Sequence, residues 1–184
     1  MPLASFAIAF ILFHSLFAKT VSAASTMAWI YPANSFPGGL KSWTLLIFRI
    51  CMGIVFMLHG YPKLTHLKQW SKSLNMPIFL CFIGAATMFF GGLCLIPGFL
   101  TPLASFGILS SMAFALFLEM KEGTPFLAKD PYLTPPEAYT GPDGKGEGPS
   151  TEKAVIYIVT MFVLIIFGPG AYSLDAWLLP NLTF

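Results

Sequence analysis

Between Trp43 and Phe167 the chain reads as four apolar runs separated by polar or turn-forming residues. The runs lie at about 43–61, 76–96, 103–119 and 154–167. None alternates with a period of two, so they predict helices rather than strands of a barrel. A helix needs roughly 20 apolar residues to cross a bilayer. The last two runs are shorter, and are expected to tilt little or to extend into the interface. Pro97-Gly98-Phe99-Leu100-Thr101-Pro102 divides the second run from the third. Its two prolines stop one helix and start the next. Residues 120–153 form the one long polar loop, with PYLTPPEAYTGPDGKGEGPS at its centre. Its middle reads as disordered and KDPYLTPPEAY as the part that packs. Gly168-Pro169-Gly170 ends the fourth run, after which Ser173 can cap a short helix with Asp175 in its first turn.

Residues 1–24 stand apart. They have an apolar core and an acceptable cleavage site at Val21-Ser22-Ala23, but no basic start. A cleaved signal peptide and an uncleaved extra span or interfacial helix both fit. The bundle proper is expected over 43–178.

Composition makes the membrane assignment firm. Of 184 residues, 56% are hydrophobic and 10% charged, where soluble domains carry about 25% charged. The expectation is an all-α, multi-pass transmembrane four-helix bundle in contact with lipid. A net charge of +2, scattered along the chain, gives no basic patch for nucleic acid. Lysines are concentrated in loops 62–75 and 120–153, which places those loops in the cytoplasm by the positive-inside rule. Cys51, Cys81 and Cys94 lie in apolar runs without a CxxC or a Cys/His cluster, and read as small buried side chains rather than metal or redox groups. No metal site is expected. No P-loop, GxGxxG, HExxH or Ser/His/Asp set is present, and no catalytic residue can be named.

One stretch carries chemistry. RICMGIVFMLHGYPKL, residues 49–64, keeps an arginine inside an apolar run. At 100° per residue, Arg49, Gly53, Phe56, Gly60 and Lys63 share one stripe. Glycines on a stripe let another helix approach, so Arg49 should point into the bundle. Three roles fit it: an ion pair with Asp175, which the topology brings to the same depth; a ligand- or quinone-facing cation; or a side chain that snorkels towards Trp43. His59 and Lys63 lie at the other end of that helix, with Glu119 and Glu152. Gly107, Ser111 and Ala115 form a second small-residue stripe, on the third run.

Taken together, these segments resemble the DoxX family of small four-span membrane proteins. The resemblance rests on RICMGIVFMLHGYPKL, on Met76-Pro77, on GGLCLIPGFLTPLA and on EKAVIYIVTMFVLIIFGPGAYSLD. It covers about residues 43–176. It implies a four-helix bundle in the bacterial cytoplasmic membrane. Some relatives form the small subunit of thiosulfate:quinone oxidoreductase, and others are linked to thiol-oxidant or quinone resistance. An accessory subunit of a quinone-linked oxidoreductase is therefore expected, with quinone as the cofactor to consider and a membrane protein or second copy as partner. The alternative is a structural subunit without catalysis. In one departure, similar proteins often carry a glutamate early in the second span, where this chain has Thr87-Met88-Phe89-Phe90.

Overall fold

The computed structural model describes residues 31, 38–128 and 150–178. The signal-like segment at 1–24, the KDPYLTPPEAY stretch and the centre of the long loop lie outside the described residues. All regular structure among the described residues is helical: α1 (Leu40–Thr65), α2 (Leu67–Ser73), α3 (Ile78–Leu95), α4 (Thr101–Lys121), α5 (Glu152–Phe167) and α6 (Leu174–Leu178). The chain is thus an all-α membrane protein. Helices α1, α3 and α4 are long and apolar enough to cross a bilayer. At 1.5 Å per residue, the 16 residues of α5 span about 24 Å, less than the ~30 Å hydrocarbon core.

The helices pack in the order α1, α3, α4, α5. The core lies between them and is built from Phe56, Met88, Leu95, Ile108, Met112, Met161 and Leu164. Tyr157 of α5 reaches across to α1, with its ring 5.0 Å from that of Phe56. The buried face of α1 consists of Ser42, Arg49, Gly53, Phe56 and Gly60. This is the stripe read from the 100° spacing, extended by Ser42. Lys63 continues it as a half-buried side chain.

Close approach of α1 and α3 depends on two facing glycines. A Cβ at Gly53 would stand 2.7 Å from the Gly92 carbonyl oxygen, and one at Gly92 would stand 2.7 Å from that of Gly53. Neither contact is possible for a real side chain, so the two backbones touch directly. Gly60 meets Phe89 of α3, and Gly107 of α4 meets Thr87 of α3. The Ser111 hydroxyl donates to the Gly107 carbonyl one turn back.

Two expectations change. Loop 62–75 contains a helix, α2, which begins at the break after Thr65. Seven residues (LKQWSKS) are too few to show a helical period against a polar background. Of the cysteines, only Cys81 is buried, and Cys51 lies on the exposed face of α1. Lipid accepts a thiol there as readily as a protein interior does.

Candidate functional site

Arg49 and Asp175 lie at one end of the bundle, and His59, Lys63 and Glu119 at the other. Arg49 is fully buried. Its Nη1 donates to the carbonyl of Leu95 at 3.2 Å, and its Nη2 to that of Tyr172 at 2.5 Å. Leu95 is the last residue of α3, and its carbonyl also accepts the Gly98 N–H at 3.1 Å, so the cation sits at the negative end of the helix dipole. Asp175, 1% exposed, lies on the other side of the same turn. It accepts the backbone N–H of Leu100 at 2.7 Å and of Thr101 at 2.9 Å. These are the first donors of α4, which otherwise has no side-chain cap.

The turn between them is unusual in its backbone. Leu100 has φ 48°, the left-handed region that bulky residues avoid, and Asp175 holds its N–H in place. Gly98 has φ +73°, and a Cβ there would run into Nη1 of Arg49. Backbone bonds complete the lock: Leu174 N–H to the Pro97 carbonyl at 3.0 Å and Asp175 N–H to the Gly98 carbonyl at 2.9 Å. Ser42 Oγ accepts the N–H of Ala171 at 2.8 Å. Ser173 Oγ accepts the N–H of Ala176 at 3.1 Å, the capping role its position suggested. The buried phenol of Tyr31 lies against Asp175. Burial first, and then the neighbouring carboxylate, hold that phenol well above the ordinary tyrosine pKa.

Arg49 and Asp175 therefore sit together as the topology suggested, but they do not bond to each other. Each is hydrogen-bonded to a helix end, and their charges lie within electrostatic range. A guanidinium with 0% exposure does not snorkel. Both Nη groups are on backbone carbonyls and Gly98 lies against the guanidinium, while the buried Nε has no hydrogen-bond partner.

The other end is open. A pocket of ≈ 190 Å³ lies between the end of α1, α2, the start of α3 and the end of α4. Its walls are mainly apolar, with Met88, Leu80 and Phe114 among them, and its polar groups include Lys63 and Glu119. The Lys63 ammonium donates to His59 Nε2 at 2.9 Å and to Met88 Sδ at 3.6 Å. It stands 5.0 Å from the Trp70 ring centroid, within cation–π range. Glu119 Oε2 is buried without a hydrogen-bond partner. The structure thus brings Lys63 and Glu119 onto one cavity with His59 behind the lysine. Ser111 and Ala115, from the small-residue stripe of α4, line it too. Glu152, in the first turn of α5, is not among the lining residues.

Sequence reasoning missed Trp70, Met88 and Cys81 as lining residues. A tryptophan between two lysines was the available signal, because that grouping marks a membrane interface. Among the described residues no three His, Cys, Asp or Glu side chains gather as a metal set.

Three long apolar helices and two polar ends define a multi-pass helical membrane protein. The DoxX family model matches residues 44–119, from early α1 to near the end of α4. The match supports the DoxX assignment reached from the sequence motifs, and it includes Arg49, the 96–100 turn, Lys63 and Glu119. No curated protein and no solved structure matches the chain.

Proposed function

We propose that this protein is the small membrane subunit of a quinone-linked oxidoreductase of the bacterial cytoplasmic membrane, crossing it four times. The pocket at Lys63 and Glu119 holds the quinone ring. The observation that carries the reading is a cavity with mostly apolar walls, closed at one side by a cation that donates hydrogen bonds. An aromatic ring with carbonyl oxygens needs that combination. Lys63 would hold a ring oxygen, with Trp70 and Phe114 beside the ring. A quinone supplies two-electron redox chemistry when bound, while these residues bind and orient it. The second-span glutamate common in similar proteins is absent, yet the pocket acquires an acid from α4: Met88 of α3 and Glu119 of α4 line the same cavity.

The Arg49 lock favours a second reading, a structural subunit without chemistry, because the most buried charges among the described residues serve its fold. The test is the native mass of the protein extracted from its own membrane in mild detergent. A partner polypeptide together with a quinone-sized adduct, the adduct lost in Lys63→Met, is expected. A partner without an adduct would leave the structural reading, and a bare chain would overturn both.

A further inference from the structure

The two polar walls of the pocket differ in hydrogen-bond character. Lys63 is a donor only, and an ionised carboxylate is an acceptor only. His59 and the weaker acceptor Met88 Sδ engage two of the three lysine N–H bonds. The remaining one can reach an oxygen in the cavity. On the other wall the buried Oε2 of Glu119 has no donor. Glu122, exposed and also lining the pocket, adds a second acceptor.

A quinone and its reduced diol meet these walls differently. The dione offers acceptors alone. It satisfies Lys63 but turns oxygen lone pairs towards Glu119. The diol carries hydroxyls that both accept and donate, so it can take the lysine N–H and give a proton to a hydrogen bond with Oε2. Hydroxyl-to-carboxylate bonds are among the short, strong class, and a buried acceptor left without a donor is costly. Resting on the quinone reading above, we propose that the pocket discriminates between the two redox forms and holds the diol more tightly, with Glu119 as the discriminating residue. Lys63 contributes affinity to either form. The diol form would therefore accumulate in the pocket, and the bound couple would have a higher reduction potential than the free one. For a two-electron couple a tenfold preference corresponds to about 30 mV.

The experiment is anaerobic calorimetric titration of the full chain in detergent at neutral pH. The probe is a short-tailed naphthoquinone, used in its oxidised form and again after reduction. The reduced probe is expected to bind about tenfold more tightly. Glu119→Gln and Glu119→Ala should each bring the two forms to comparable affinity, while Lys63→Met should weaken both. Equal binding of the two forms by the parent protein would overturn the preference and leave the quinone pocket standing. A preference that survives in both Glu119 variants would overturn the role of that residue. Binding of neither form would sink the preference and the quinone reading together.

Discussion

Arg49 and Asp175 grip opposite sides of one turn without bonding to each other. The cation holds the carbonyl of Leu95 at the C-terminus of α3, and the carboxylate holds the first N–H groups of α4. Each charge complements the helix end it touches. Tyr172 and Asp175 belong to the segment after α5, so this arrangement ties the α3–α4 turn to both α1 and the C-terminal part of the bundle. The energetic consequence differs from that of a simple ion pair. Loss of either residue strands backbone groups as well as a charge.

Arg49→Ala should cost about 3–5 kcal/mol, the range for breaking a buried charge pair from one side. It takes the side-chain donor from the Tyr172 carbonyl, leaves that of Leu95 with the Gly98 N–H alone, and leaves Asp175 without its cation. Arg49→Lys should recover only part of this, because one ammonium lacks the planar fork that reaches Leu95 and Tyr172 together. Thermal unfolding in detergent, followed by circular dichroism, measures both. An Arg49→Ala protein that melts with the parent would refute the lock.

Arg49→Ala and Asp175→Ala should be strongly non-additive. Each single variant leaves an opposite charge buried, whereas the double variant removes both. A double-mutant cycle on unfolding free energies should give a coupling of about 0.5–3 kcal/mol, the range for residues in one network. A coupling near zero would mean that the two charges act on the turn independently.

Gly98→Ala should be far more damaging than Gly123→Ala. Both glycines have positive φ, +73° and +74°, so both variants bear the backbone penalty of about 1–2 kcal/mol for an L-residue in the left-handed region. At Gly123 a Cβ would meet nothing within 4 Å, whereas at Gly98 it meets the Arg49 guanidinium. The difference in melting temperature between the two variants isolates the displacement of the arginine. Equal losses would show that only the backbone matters.

Tyr31 gives the lock an alkaline limit. Its phenol stays protonated in the folded state above the ordinary tyrosine pKa, which is about 10. Above that pH the unfolded chain releases this proton and the folded chain retains it. The folded state then binds more protons, and stability falls as pH rises. Below about pH 10 both states are protonated and the term vanishes. Tyr31→Phe should therefore lose less stability than the parent between neutral pH and pH 11. Parallel stability–pH curves for the two proteins would exclude this coupling.

The parts of this molecule differ in how far they could be read from sequence. The long helices follow from run length and the absence of alternation. The buried face of α1 follows from residue spacing, since 100° per residue aligns Arg49, Gly53, Phe56 and Gly60 whatever they pack against. The bonding of Arg49 was not legible. Its partners are carbonyls of Leu95 and Tyr172, and every residue carries a carbonyl, so sequence leaves no mark of which ones a helix end will present. Asp175 read as a partner for the arginine because both are charged, but its oxygens bind the N–H groups of Leu100 and Thr101. The pocket was half visible. Lys63 and Glu119 could be placed at one end by topology alone. Trp70 reaches them only because α2 folds back after Thr65, a turn set by seven residues too few to announce themselves.

The lock also sets an order on biosynthesis. Arg49 and Tyr172 are separated by 123 residues, so the arginine leaves the ribosome and enters the bilayer long before its second acceptor exists. Until residues 172–175 emerge, one arm of the guanidinium has no carbonyl and the first turn of α4 has no cap. Closure of the bundle therefore waits until residues 172–175 have been made. A nascent chain stopped before Tyr172 would carry an unsatisfied charge within the membrane, a mark by which quality-control proteases could distinguish it from the finished protein.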